Sequence, residues 1–241
     1  YPELEAYLAD LPRLGIPIVV TKGSRSPSRP YAMVYAQAKV REARAKAGLG
    51  VHVTLDACRH GGMTGHVLLG HAEAFRRDRE RCAAVAERAM AVMPLGSAAL
   101  AGTPLPLDLK KMATALGFEQ QPRNSYDSVG DRDFMLEALS AYALLGTHLS
   151  RLAEDCIYWS ATPVGLLKLP PAWSTGSSIM PNKRNPDVPE LTRGRGAHVL
   201  GALTDGFALV RTVPTSYGSD LHELKKTLMQ AADEIHACLE I

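Results

Sequence analysis

"DRDFMLEALSAYALLGTHLSRLAEDCIYWS", residues 131–160, sets Phe134, Ala138, Tyr142, Leu145, Leu149, Leu152 and Cys156 at steps of three and four, the spacing that lines one face of a helix. A helix this long outgrows a compact globular core and suits a bundle of long helices. Its neighbours have the same texture. From Gly65 to about Ala91, Val67, Leu68, Ala72, Phe75, Cys82, Val85, Ala86 and Ala89 recur at helical steps, with Arg76, Arg77, Arg79 and Glu80 lying mostly between them. Two further helices are expected over Val188–Arg211 and Ser219–Leu239, the second striped by Leu221, Leu224, Leu228, Ala231, Ile235 and Cys238. A short helix, Leu107–Leu116, has Pro106 at its entry and Gly117 at its exit, the usual asymmetry of helix ends. With no strand pattern after residue 64, that part of the chain reads as all-α.

Composition agrees with this class. Of 241 residues, 46% are apolar, 22% charged and 6% aromatic, which favours Ala- and Leu-rich helices over a sheet sandwich. No apolar run reaches the roughly 18 residues of a membrane helix, so no membrane association is expected. The first residues, "YPELEAYLAD", are acidic and lack the apolar centre of an export signal. Cys58, Cys82, Cys156 and Cys238 are far apart and form no C-x-x-C pair, which speaks against zinc or a disulfide framework and suits a reducing cytoplasm.

The N-terminal quarter differs. Up to Thr64, nine basic residues face five acidic ones, while the whole chain carries only +2. "IPIVVTKGSRSPSRPY" reads as a short strand, Ile16–Thr21, followed by a turn; "YAMVYAQAKVREARAKAGLG", residues 31–50, reads as an amphipathic helix stopped by Gly48 and Gly50. We therefore expect a small α+β segment over residues 1–64 and a helical domain over 65–241. Most small charge excesses are solvated surface; a nucleic-acid face is the alternative.

Between the two helices that flank it, residues 161–187 have no periodicity. A structureless stretch beyond roughly 12–15 residues inside a domain is usually functional or disordered. Within it stands "STGSSIMPNKRNPD", residues 174–187, preceded by the apolar "LLKLPPAW". A phosphate-binding P-loop needs a second glycine before its lysine, and an esterase elbow needs glycine where Met180 stands, so both fail. Serines beside Gly176, with Lys183 and Asn185 close behind, combine a proton-accepting oxygen with cationic and amide donors. Such parts suit proton abstraction next to a carboxylate, where preformed donors meet the charge that develops.

"GSSIMPNKRNPD" resembles the signature loop of the fumarase/aspartase lyase superfamily. "PLGSAALAGTPLPLD", "RNSYDSVGDRDFMLEALS", "HLSRLAEDCIYWS" and "PTSYGSDLHELK" are similar, in order, to segments of its argininosuccinate lyase branch. The resemblance runs from about Gly65 to Ile241. It implies a truncated long-helix bundle of the fumarase/aspartase type, assembled as a homotetramer, which cleaves argininosuccinate to arginine and fumarate without metal or organic cofactor. Matched position by position, Ser177 and Ser178 include the general base, with Ser177 favoured. Lys183 and Asn185 stabilise the aci-carboxylate, and Asn124, Ser125, Tyr217 and Lys225 hold substrate. His222 stands where the family usually has glutamine. Taken singly, Asn124 and Ser125 read as a helix cap or turn, Tyr217 as a turn residue and Lys225 as a solvated lysine; in this order around the loop, the functional reading is favoured.

Two upstream segments that the family uses, Ser-Arg-Asn-Asp and Thr-His, have no counterpart here, and neither His60 nor His66 replaces the second. The family's C-terminal helical domain is also not matched. The resemblance therefore implies little activity for copies of this chain alone, and restoration of some sites by a full-length subunit. "AGLGVHVTLDACRHGGMT", residues 47–64, resembles the stretch around a catalytic arginine of tyrosine recombinases, with Arg59 as the phosphate clamp and Asp56 where that family has histidine. This second resemblance is short and lacks the tyrosine nucleophile, so recombination is not expected and only weak DNA affinity is. A structural helical protein without activity is the third reading. The junction between the two resemblances falls near Met63–Gly65.

Overall fold

The computed structural model describes residues 19–22, 34–37, 61–213 and 216–240. The elements are β1 (Val19–Lys22), β2 (Val34–Gln37), α1 (Gly61–Ala91), α2 (Leu109–Leu116), α3 (Ser125–Gly130), α4 (Asp133–Ser160), a 3₁₀ turn (Pro171–Trp173), β3 (Thr175–Gly176), β4 (Arg184–Asn185), α5 (Asp187–Val210) and α6 (Leu221–Leu239). The protein is mainly α, and its long helices fall within a residue or four of the expected bounds. The expected helix over residues 31–50 is overturned at Val34–Gln37, which pairs antiparallel with β1, Val19 opposite Gln37 and Lys22 opposite Val34. Val34 and Tyr35 favour strands, and cross-strand pairing prevails over a weak helical pattern. Most of the N-terminal segment, Arg59 included, lies outside the described residues.

Two compact units divide the chain. One comprises Tyr1–Glu73 and Arg151–Thr192, the other Ala74–Ser150 and Arg193–Ile241.

In the first unit, the end of α4 anchors the irregular stretch. Trp159 and Leu167 are buried, and the Trp159 carbonyl accepts the N–H groups of Leu166 and Leu167 at 2.9 and 3.0 Å. The apolar "LLKLPPAW" thus folds back on the helix it leaves. His71 Nε2 and Asp155 Oδ2, 2.7 Å apart, tie α1 to α4 here. Asp187 and Glu190 occupy the first turn of α5, where carboxylates complement the positive end of the helix.

The second unit holds the core, in which Met135, Leu139, Leu149, Val199, Leu224 and Ile235 are buried together. The expected α6 stripe is the observed one, with Leu221, Leu224, Ala231, Ile235 and Cys238 buried. On α4 the buried face is wider than the expected stripe and displaced from it. Phe134 is exposed, whereas Met135, Leu136 and Leu139 are buried, because helices pack against α4 from more than one side. Helices α4 and α5 cross closely at Gly146 and Gly196; a Cβ on Gly196 would stand 2.8 Å from the Gly146 carbonyl oxygen, so only glycine permits the approach. Asp108, rather than Pro106, opens α2, its Oδ1 accepting the Lys111 N–H at 2.9 Å. Gly117 closes that helix in the left-handed conformation as expected.

Candidate active site

The irregular stretch contains a small antiparallel ladder that the sequence did not announce: Thr175 pairs with Asn185 and Gly176 with Arg184. The ladder closes the loop Ser177–Lys183 at its base. Within the loop, the Lys183 N–H reaches the Met180 carbonyl at 3.0 Å, and Ser177 Oγ accepts the N–H groups of Ile179 and Met180 at 3.3 and 3.2 Å. Ser177 is half-buried, whereas Ser178 and Lys183 are exposed and Asn185 is half-buried. Ile179, at the tip, is 87% exposed, an unusual placement for a large apolar side chain. The geometry separates the two serines chemically. Two N–H dipoles converge on Ser177 Oγ and stabilise negative charge there; among the described residues, Ser178 Oγ has no hydrogen-bond partner.

The remaining expected site residues lie in the second unit. Asn124 caps α3, its Oδ1 accepting the Asp127 N–H at 3.0 Å, and Ser125 is the first residue of that helix. The capping reading is thus realised for Asn124. The Ser216 hydroxyl donates to the Tyr126 carbonyl, and Ser216 adopts a left-handed φ of 70°. Gly130 sits so close that an added Cβ would lie 2.6 Å from the Ser216 carbonyl oxygen. These contacts dock the Asn124–Gly130 segment on the one carrying Tyr217, His222 and Lys225. The Tyr217 hydroxyl hydrogen-bonds His222 Nε2, with the rings edge-on and their centroids 5.9 Å apart. All three of Tyr217, His222 and Lys225 are exposed.

A buried charge cluster was not foreseen. Asp78 is 2% exposed and binds His148 Nδ1 and Arg81 Nη1, both at 2.6 Å. The signal for it was a polar residue inside an apolar-striped helix, with an arginine one turn away. Burial, then the nearby Asp131, Asp127 and Glu137, raises the carboxyl pKa of Asp133. Two open grooves of about 340 and 700 Å3 in this unit contain none of the expected site residues. No group of three or more His, Cys, Asp or Glu able to hold a metal ion occurs among the described residues.

A long-helix chain with a serine- and lysine-bearing loop between two of its helices defines the class. The family profile described as Lyase matches residues 63–201. Argininosuccinate lyase from Moorella thermoacetica is 46% identical over 176 residues, which cover 73% of this chain and 38% of that protein. The argininosuccinate lyase of Roseiflexus sp. (strain RS-1) is 47% identical over 176 residues, with the same coverage. Among solved structures, an EDDS lyase in complex with formate superposes with a TM-score of 0.62 at 28% identity, over 71% of this chain and 35% of that one. The chain belongs to this lyase family, within the fumarase/aspartase superfamily. It spans somewhat over a third of the length of the curated relatives it matches.

Proposed function

We propose that this chain carries the loop-bearing part of a carbon–nitrogen lyase that eliminates fumarate from argininosuccinate to leave arginine. The identity of 46% over 176 residues to an argininosuccinate lyase is the observation that carries the reading, and the family profile, matching residues 63–201, takes in the loop. In the proposed chemistry Ser177 removes the proton beside the carboxylate. Its Oγ already receives two N–H groups, which favour the alkoxide form of a base. Lys183 and Asn185 meet the charge that moves onto the carboxylate, while Asn124, Ser125, Tyr217, His222 and Lys225 hold the substrate. Asn124 has its Oδ1 committed to the α3 cap, which leaves its amide N–H groups for substrate. Closure of the loop, with Ile179 turned inwards, excludes water from the intermediate.

The residues present lack the upstream Ser-Arg-Asn-Asp and Thr-His segments, so copies of this stretch alone do not complete a site. A cytoplasmic tetramer in which a full-length subunit supplies those segments does. The test mixes the chain with a full-length argininosuccinate lyase inactivated at its own loop serine and follows fumarate absorbance. Activity that appears only in the mixture supports the reading; its absence, with mixed oligomers demonstrated by mass, counts against a usable loop. For residues 1–64, the likeness around Arg59 supports a recombinase-derived segment with weak affinity for duplex DNA. Retention that weakens with salt and disappears when this segment is removed is its signature.

A further inference from the structure

We propose that the outward face of α5 docks a second copy of this chain, the two α5 helices lying antiparallel about a two-fold axis. The inference goes beyond the reading above, which calls for an assembly but assigns it no surface. Within the second unit, α5 presents Leu200 and Phe207 to solvent, 54% and 51% exposed. Beside them runs an exposed row, Gly194, Ala197, Gly201, Thr204 and Ala208, at alternating steps of three and four, the repeat of a helix-pairing seam. Thr204 returns its hydroxyl to the Leu200 carbonyl at 3.4 Å, so it sets no unmet polar group in the row. Glycine is the least favourable helix residue after proline, and the chain's own packing does not demand it here: a Cβ on Gly194 or Gly201 would meet no atom within 4 Å. At Gly196 and Gly206, by contrast, a Cβ would strike Ser150 and Leu139. Small residues facing open space let a helix from outside the chain approach to about 8 Å, the short end of the usual range.

The flanks of the row identify the occupant as the same helix. On one side stand Leu200 and Phe207, on the other His198 and Asp205. Phe207 borders the groove of about 340 Å3, His198 and Asp205 the groove of about 700 Å3, so α5 is a ridge between two grooves. In an antiparallel pair with Gly201 facing Thr204 of the second copy, Ala197 faces its Ala208, Leu200 lies beside its Phe207 and His198 beside its Asp205. Two-fold symmetry makes each of these contacts twice. Apolar side chains meet on one flank; imidazole meets carboxylate on the other. His198 Nδ1 is held only loosely, 3.5 Å from Glu234, which leaves Nε2 for the new contact. Asp205 takes Thr227 Oγ1 on Oδ2 at 2.6 Å, and its other oxygen has no partner among the described residues. Parallel helices would set the Leu200–Phe207 flank of one copy against the His198–Asp205 flank of the other, apolar groups against charge. The face is therefore complementary to itself in one direction only.

Sedimentation velocity of the full chain over a concentration series tests the surface. Self-association should appear as concentration rises. Gly201→Glu meets no atom of its own chain but buries an unpaired carboxylate in the seam, and should weaken association by about a hundredfold or more with the circular dichroism spectrum unchanged. Direction is read with a short bismaleimide. A mixture of Leu200→Cys and Phe207→Cys chains should give several times more cross-linked dimer than either variant by itself or the parent chain. A monomer at every concentration overturns the proposal, as does self-association indifferent to Gly201→Glu. Association that appears only when a full-length lyase is added also overturns it, by making that subunit the occupant. Leu200→Cys cross-linking to itself in preference to the mixture overturns the antiparallel arrangement. None of these outcomes decides the lyase reading, which the fumarate assay judges separately.

Discussion

Asp78 and His148 meet at 2.6 Å between Oδ2 and Nδ1, joining α1 to α4 with a carboxylate that is 2% exposed. Its other oxygen takes Arg81 at 2.6 Å, so both oxygens of a buried carboxylate are matched. Removing one partner of such a cluster leaves the rest buried and unpaired. Asp78→Ala should therefore destabilise the fold by about 3 kcal/mol, and Asp78→Asn, which retains hydrogen-bonding capacity, by less. Urea unfolding followed by circular dichroism measures both. A midpoint for Asp78→Ala equal to that of the parent chain would show that the cluster contributes nothing.

Gly130 lets α3 reach the Ser216 segment. The clashing atom for any added Cβ is a backbone oxygen, 2.6 Å away, which cannot yield as a side chain can. Gly130→Ala should cost about 1–3 kcal/mol, the usual range for overpacking. It should also part Ser216 from Tyr126 and loosen the Tyr217–His222 pair. Ring resonances of His222 report the second effect separately from stability. If stability falls while those resonances stay put, Gly130 acts on packing alone.

Cys156 gives a pH dependence with a definite sign. Burial, then the neighbouring Asp155, raises its thiol pKa from 9.0 to about 11. A thiol whose pKa is higher in the folded state favours folding while it is protonated. That stability is complete below pH 9 and is lost as pH rises from 9 to about 11. Comparison of denaturant midpoints at pH 8 and pH 11 should show a loss of about 2 kcal/mol, most of it absent in Cys156→Ala. Alkylation of Cys156 at pH 8 should also be slow, because the thiolate is the reacting form.

Helix positions were legible wherever burial repeats with a single period. In α6, Leu221, Leu224, Ala231, Ile235 and Cys238 follow one stripe and are all buried. In α4 the reading slipped, with Phe134 exposed and Leu139 wholly buried, because a helix surrounded by others has no single apolar face to read. The β3–β4 ladder went unseen since two-residue strands carry no periodicity. The loop was legible as a chemical inventory, Ser177, Ser178, Lys183 and Asn185, but the distinct surroundings of its serines come from turn geometry. Asp78–His148 is a contact between distant parts of the chain, and no local pattern encodes the partner.

That distinction between the serines leads to the sharpest test of the proposed chemistry. Ser177 Oγ receives the Ile179 and Met180 N–H groups, while Ser178 is exposed and has no such donors among the described residues. A general base of this kind contributes about 10²–10⁴ in rate. In mixtures with the loop-inactivated full-length lyase, Ser177→Ala should lower the restored fumarate production by that factor with oligomer mass unchanged. Ser178→Ala should lower it by about tenfold or less, the scale of one lost hydrogen bond. The reverse order would assign Ser178 as the base and Ser177 as the residue that shapes the turn. Equal small effects would remove both serines from proton transfer, since neither a turn nor a solvated hydroxyl can then be carrying the rate-limiting abstraction.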